Sequence, residues 1–215
     1  MKLEEYTADA ICHAVNLSGF VEPAWAEREH PTLRIVLTPS FHPEVCITIS
    51  RAESGASISV IVLAERFWII GPAAGIVTNR EETSVQMNTF EEWLKLFNTA
   101  RTYVEEGRKC LCIDGMSLEC CLISRVCSQR FKAHVYQLQD GVLLAGVLDF
   151  AWRNCKNPRV RNGLSDAACY LGLKFPIQEI PPDPPTSRIA VLGTPEARKE
   201  YFEMLQQVIE TKAKQ

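Results

Sequence analysis

The chain has 215 residues and a formal net charge of −3 at pH 7, with 47% hydrophobic and 23% charged residues. This composition is typical of a globular core and excludes a wholly disordered chain. The length suits a single domain, with possible sub-units 1–107 and 108–215. The small negative charge gives no general attraction to nucleic acid and argues against a nucleic-acid partner.

The cysteines and the N-terminus indicate the compartment. Nine cysteines are present, an odd number, and most lie within apolar strand or helix patterns. The N-terminal segment MKLEEYTADAICHAV lacks the basic stretch and apolar run of a secretory signal peptide. We therefore expect reduced, buried thiols in a cytoplasmic protein. No membrane span is expected, because Glu65-Arg66 and Gly71-Pro72 interrupt the longest apolar region, and a span needs about 20 apolar residues.

The first 70 residues predict a short helix followed by three strands. Thr7 can cap a helix whose apolar residues recur at helical spacing. Residues 20–32 contain two prolines and indicate a loop or a single helical turn. Alternating or β-branched residues then predict a three-stranded meander over 33–38, 44–50 and 57–70.

A polar loop is expected after residue 71, followed by a well-marked helix. Thr89 and Glu92 have the spacing of a capping box, and Gly107 is a natural C-terminal stop. Apolar residues between these signals share one helical face: Phe90, Trp93, Leu94, Phe97 and Val104.

Residues 108–138 predict two or three further antiparallel strands. The pair Asp114-Gly115 suits a two-residue type I′ turn, which would place Leu111 opposite Leu118. Side chains alternate along a strand, so one face of this unit is apolar: Leu111, Ile113, Leu118, Cys120, Leu122, Phe131, Ala133 and Val135. The opposite face is mixed, with Arg130, Lys132, His134 and Tyr136.

The last third of the chain predicts mainly helices. Residues 142–154 form a helix that is apolar nearly all round, 157–163 a basic loop, and 164–173 another short helix. Five prolines in 175–187 indicate an extended connector, after which 189–192 could form an edge strand and Thr194-Pro195-Glu196 would begin a final helix. The sequence therefore predicts an α+β fold of about six antiparallel strands in meanders, packed on one side by amphipathic helices, with a C-terminal helix after the proline-rich connector.

Metal and nucleotide cofactors are not expected. Cys110, Cys112 and Cys121 would share a face of the predicted hairpin, but structural zinc takes cysteines two to four residues apart in tight turns, so buried thiols are favoured. Residues 188–194, RIAVLGT, contain only one of the glycines that a nucleotide-binding loop requires. The sequence predicts no metal and no cofactor.

Two groups of residues are candidates for a functional site. Glu119 and His134, with Cys121 or Tyr136 nearby, form the best acid–base pair, although a solvated polar face would show the same pattern. Four cations follow one another without an acid between them, Arg153, Lys156, Arg159 and Arg161, and could bind an acidic partner or belong to a solvated loop. Asp149 should bond one of these arginines or a backbone amide.

The sequence carries no catalytic or cofactor motif, and this favours a non-catalytic, cytoplasmic protein-binding module of the immunity or adaptor type, whose partner is another protein. The alternative is a hydrolase-like enzyme acting on a small molecule, with its acid–base residues on the open face of the sheet. A homodimer whose main role is assembly is a third hypothesis.

Overall fold

The computed structural model describes residues 7–27, 29–52, 55–70, 78–105, 115–125, 128–138 and 141–180. The chain divides into two compact units, Met1–Glu179 and Ile180–Gln215. The predicted strand at 189–192 and the predicted C-terminal helix belong to the second unit and lie outside the described residues. The elements below all belong to the first unit.

Six strands form one antiparallel sheet, in the order β4-β3-β2-β1-β5-β6. The strands are β1 Thr32–Pro39, β2 Val45–Ala52, β3 Gly55–Leu63, β4 Thr78–Val85, β5 Met116–Ile123 and β6 Ser128–His134. The helices are α1 Ala8–Ala14, α2 Phe67–Ile70, α3 Met87–Glu105, α4 Val142–Asn154 and α5 Pro158–Cys169, and single 3₁₀ turns occur at Pro23–Trp25 and Val135–Gln137. The predicted α+β class with about six antiparallel strands is confirmed.

β1 and β5 join the two groups of strands into one sheet. Ile35 of β1 lies opposite Ile47 of β2 on one side and opposite Cys120 of β5 on the other. Leu118 of β5 likewise lies between a residue of β1 and a residue of β6, so both edges of β5 are occupied. The predicted pairing of Leu118 with Leu111 is therefore wrong, and residues 106–114 themselves lie outside the described residues.

β4 occupies a segment for which a polar loop was predicted. It is an outer strand of the sheet, and its alternation of half-buried and exposed positions involves polar residues almost throughout. The preceding strand is also shorter than predicted, because β3 ends at Leu63 and α2 follows. The carboxylate of Glu44 accepts a 2.7 Å hydrogen bond from the N–H of Phe67, which stabilises the start of α2.

Three helices cover one face of the sheet. α3 begins at Met87, two residues before the predicted cap at Thr89, and the predicted stop at Gly107 lies outside the described residues. α4 has the predicted bounds. α5 begins at Pro158, so the predicted basic loop over 157–163 is wrong, and the side chain of Asn157 accepts the Arg159 N–H at 2.9 Å as the cap of α5. Apolar residues of all three helices pack with the same face of the sheet.

α1 and the 3₁₀ turn at Pro23–Trp25 pack on the other face. The Thr7 hydroxyl accepts the Ala10 N–H at 3.1 Å, as predicted for the cap of α1. Ile11 of α1 and Trp25 of the turn are buried against Val36, Cys46 and other residues of this second apolar cluster. Both faces of the central strands are therefore covered by described residues.

Candidate functional site

Glu119, the first predicted acid–base residue, is held by an arginine. Its Oε1 accepts a hydrogen bond from Arg130 Nε at 2.6 Å and a second, closer one from Nη2 of the same guanidinium. The Glu119 side chain is 12% exposed. The carboxylate of Glu119 is therefore already engaged in an ion pair within the sheet.

His134, the second predicted residue, caps a turn. Its Nδ1 accepts the N–H of Tyr136 at 3.5 Å, and the two rings stack with centroids 5.0 Å apart. Burial lowers the pKa of His134 from its ordinary value. Glu119 lies opposite Lys132 in the sheet, whereas His134 lies opposite Ser117, and the ion pair of Glu119 is with Arg130. The structure therefore gives each predicted residue a separate structural partner.

The cysteine positions that raised the question of zinc are only partly described. Cys121 donates a 3.5 Å hydrogen bond from Sγ to the carbonyl of Phe20, and burial raises its pKa to about 12. Cys110 and Cys112 lie outside the described residues. Among the residues that the structure describes, no group of three His, Cys, Asp or Glu side chains could hold a metal ion.

The four predicted cations lie at the corner between α4 and α5. Two of them, Arg153 and Arg161, contact other residues of the chain. Arg153 Nε contacts Asp149 Oδ1 at 2.9 Å, which is the arginine contact expected for that aspartate. The guanidinium of Arg161 lies 4.2 Å over the Trp152 ring and donates to the Trp152 carbonyl at 3.0 Å.

The backbone at the same corner is bound by an acid from β4. The Glu81 carboxylate accepts the N–H groups of Lys156 and Asn157 at 2.6 and 2.7 Å. With Asp149 this places two acids among the four cations, so the cluster is less positive in space than it is in sequence.

One end of the sheet brings together several residues that the sequence did not indicate. Ser40 donates its N–H to the Gly115 carbonyl at 2.8 Å, and its hydroxyl accepts the Gly115 N–H at 3.1 Å. Arg66 donates to the Ser40 carbonyl at 3.1 Å. The loop after β1, the start of β5 and the start of α2 therefore meet at one point.

Gly115 places Tyr136 at the same end of the sheet. Its φ of +137° suits glycine, and a Cβ there would lie 2.4 Å from the His134 ring and 3.3 Å from the Tyr136 ring. The ring of Tyr136 is therefore close to the backbone that Ser40 binds.

A polar network fixes the loop between β1 and β2 to α5. The Tyr170 hydroxyl accepts the Phe41 N–H at 3.1 Å and lies 3.0 Å from His42 Nδ1. Asp166 Oδ1 lies 3.8 Å from His42 Nε2. Burial raises the pKa of Asp166 and of Tyr170 above their ordinary values.

Three large apolar side chains are exposed at this end of the sheet. Phe41 is 62% exposed, Ile69 is 55% exposed and Tyr136 is 66% exposed. We call these three residues the sheet-end surface. Two of them are aromatic. Hydrogen bonds hold the backbone near all three residues in place, either those of Ser40 and Tyr170 or those of the turn at His134.

Comparison with known proteins gives no family for this chain: no protein-family model and no curated protein matches it. In the part of the chain that the structure describes, none of the helices combines the length and the apolar character needed to cross a bilayer.

Proposed function

We propose that this protein is a non-catalytic binding module that contacts another protein through the sheet-end surface. The observation that carries the proposal is the exposure of Phe41, Ile69 and Tyr136 at one end of the sheet. Scattered exposed apolar residues are normal, but apolar and aromatic side chains grouped on one surface are typical of interfaces. Aromatic anchors of this kind contribute a large share of binding energy in protein complexes.

The rigidity of this surface supports binding. The backbone of Phe41 is fixed by Tyr170, and the ring of Tyr136 stacks on His134. Side chains that are already ordered lose less conformational entropy when a partner binds, which leaves more of the contact energy for affinity.

Two other hypotheses have less support: binding through the four cations at the corner between α4 and α5, which we call the basic corner, and the enzyme alternative. Arg153 and Arg161 already have partners within the chain, and the carboxylate of Glu119 is bonded to Arg130. A cavity of about 90 Å³ beside Glu119 and Lys132 has room for only a few water molecules. On this face Glu119 is already paired with Arg130, and His134 caps a turn through Nδ1, so a hydrolase-like activity has less support than binding.

The proposed compartment is the cytoplasm. Five of the six described cysteines are buried, and all six are free thiols. Free thiols persist in a reducing compartment, whereas secreted proteins usually pair them.

The proposal is tested by photo-crosslinking in cells that express the protein natively. A benzophenone amino acid is placed at position 41 or 136, and at position 177 as a control, because Ile177 is also exposed, at 72%. We expect one protein to crosslink from positions 41 and 136 and not from 177. Mass spectrometry then identifies it, and its affinity for the purified chain is measured by calorimetry.

With the identified partner, Phe41→Ala and Tyr136→Ala should each weaken binding by about tenfold or more, as truncation of an interface anchor does. Ile177→Ala should leave the affinity within about twofold, since isolated surface contacts contribute little. Equal crosslinking from all three positions, or none, would contradict the proposal. A crosslink to a second copy of the chain would replace the separate partner by a homodimer.

Neutralising the basic corner tests whether the partner contacts this corner or the sheet-end surface. The double variant Arg153→Gln/Lys156→Gln removes two cations of the corner and leaves the sheet-end surface intact. Binding that is lost in this variant and retained in Tyr136→Ala would move the contact to the α4–α5 corner.

A further inference from the structure

A cavity of about 240 Å³ lies between α3, the first turn of α4 and the sheet. Ile35, Leu118 and Phe131, from β1, β5 and β6, form its floor. Ala100 of α3 and Leu144 of α4 are among the residues of its walls. The cavity is separate from the sheet-end surface, whose three residues do not line it.

The lining residues that the structure describes are uncharged. None of them is Asp, Glu, Lys, Arg or His, and their polar side chains are the hydroxyl of Thr99 and the thiol of Cys120. The Thr99 hydroxyl already donates to the Lys95 carbonyl at 3.2 Å. Burial raises the pKa of Cys120 well above its ordinary value, which keeps the thiol neutral. A charged group placed against these described residues would lose its hydration without gaining a charged partner from them.

Water is a poor occupant of such a space. An ordered buried water needs two to four polar partners, and apolar cavities that lack them stay dry and bind apolar molecules. Protein interiors are close-packed, so an apolar void of this volume leaves many van der Waals contacts unmade.

The volume of the cavity and its opening to solvent determine the size of ligand that can enter it. A cavity of about 150 Å³ accepts benzene, so this one has room for about ten non-hydrogen atoms. Thr99 is exposed and Val142 is 50% exposed, and both line the cavity, so it is reached from solvent between α3 and α4.

We propose that the cavity between α3, α4 and strands β1, β5 and β6 binds an uncharged, apolar small molecule of about ten non-hydrogen atoms, such as an alkylbenzene. The uncharged character of the described lining residues, the volume and the solvent-accessible mouth carry this inference, which does not depend on the sheet-end surface.

The test uses the full chain and two probes that differ in charge. n-Butylbenzene and 4-phenylbutyrate are titrated separately, and the methyl resonances of Ile35, Leu118 and Leu144 are followed by NMR. We expect n-butylbenzene to shift these resonances in a saturable way and to raise the melting temperature. 4-Phenylbutyrate, whose chain is similar but carries a carboxylate, should bind at least about tenfold more weakly, because its charge is desolvated.

Filling the cavity should abolish binding. Ala100→Leu adds side-chain volume inside the cavity and should weaken n-butylbenzene binding by at least about tenfold, with an unchanged or higher melting temperature. Thr102→Leu, which adds an apolar side chain on the exposed side of the same helix, should bind like the wild type. If Ala100→Leu does not fold, Thr99→Trp at the mouth provides the same test by obstructing access.

Three results would overturn the proposal. The first is n-butylbenzene leaving the three methyl groups unshifted, and the second is a filled or obstructed variant that binds as tightly as the wild type. The third is 4-phenylbutyrate binding as well as n-butylbenzene, which would show that the site is not selective for an uncharged ligand.

Discussion

The guanidinium of Arg34 lies over the indole ring of Trp25, 4.2 Å from the ring centroid, although both side chains are only 2% exposed. The same guanidinium contacts Glu22 at 2.5 Å, donates to the Gly19 carbonyl and, through Nε, to the Thr48 hydroxyl at 3.0 Å. Arg34 therefore connects strand β1 and its neighbour β2 to the segment that covers the second face of the sheet.

Replacing Arg34 should be costly. In Arg34→Met the Gly19 carbonyl and the Glu22 carboxylate lose their buried partner, so we expect the free energy of unfolding to fall by about 3 kcal/mol. Arg34→Lys should also destabilise, because an ammonium cannot reproduce the planar contacts with Trp25, Glu22 and Thr48. Urea denaturation measures both. Arg80→Met, at an exposed position of β4, is the control and should change stability by less than about 0.5 kcal/mol.

Gly163 of α5 packs directly on β3. A Cβ at this position would lie 2.3 Å from Val62 Cγ1, so Gly163→Ala should lower the free energy of unfolding by about 1–3 kcal/mol through overpacking. Val62→Ala removes the clashing methyl groups, and the double variant should recover part of the loss. A double-mutant cycle in urea measures this coupling. Strictly additive effects would show that the close approach has no energetic consequence.

At Gly146 of α4, a second helical glycine, we expect substitution by alanine to stabilise the protein. The nearest atom to a Cβ there is Trp93 Nε1 at 3.5 Å, which is ordinary contact. Gly146→Ala should therefore raise the free energy of unfolding by up to about 1 kcal/mol, because alanine favours the helix. Thermal or urea denaturation gives the sign. A loss of stability would mean that α4 has less room than the structure shows.

Cys169 should be the first described cysteine to react in the folded protein. It is exposed, whereas Cys12, Cys46, Cys120, Cys121 and Cys155 are buried. Partial burial and the carboxylate of Asp166 raise the pKa of Cys169, so its alkylation should be slow near pH 8 and should speed up as the pH rises. Peptide mapping after a short iodoacetamide pulse measures each site.

Asp166→Asn removes the neighbouring negative charge and should accelerate labelling of Cys169 at about pH 8. The comparison with Cys12 is informative, because a hydrogen bond from Cys46 lowers the pKa of Cys12 although both thiols are buried. If Cys12 were labelled as fast as Cys169, the packing of α1 on the sheet would be looser than the structure indicates.

Lowering the pH should weaken the turn that His134 caps. Burial holds the pKa of His134 below its ordinary value of 6.5, and Nδ1 accepts the Tyr136 N–H only while it is unprotonated. A group whose pKa is depressed by folding contributes stability above its unfolded pKa, and this contribution is lost as the pH falls through the folded pKa.

His134→Asn keeps an oxygen that can cap the turn but does not titrate in this range. The stability of the wild type relative to this variant should therefore fall between about pH 7 and pH 5, as measured by urea denaturation at each pH. The change should be small, because the ring is only partly buried and water screens its charge. A constant or rising difference would contradict this role of His134.

Elements with a regular apolar pattern were predictable from the sequence. Apolar and polar residues alternate along β1 and β2, because each strand packs Leu or Ile on one face. α4 shows an apolar stripe over its whole length. β4 has no such signal, because an outer strand is half solvated and its residues are polar. α5 was placed too late, although Asn157-Pro158 is the usual combination of a cap residue and a proline at the first helical position.

The partners of the site residues could not be predicted, because they depend on pairing between distant strands. The Asp114-Gly115 pair is a local turn signal and does not reveal that β1 competes for the same edge of β5. The alternation that placed Glu119 and His134 on one face was right, but it did not show that Glu119 binds Arg130. Likewise, nothing near Arg34 in the sequence indicates that a charged residue of β1 is fully buried.

The pairing of β1 with β5 has a consequence for how the chain folds. The Thr38 hydroxyl donates to the Ser117 carbonyl, and these residues are 79 positions apart. Closing so long a loop is entropically costly, so the sheet centre should form late, after the local meander β1–β3. A ribosome adds about 5–20 residues per second. The edge of β1 that pairs with β5 therefore stays unpaired for several seconds, until β5 has been synthesised. During that interval the growing chain exposes an unpaired apolar strand, and this is the stage at which a chaperone would protect it from aggregation.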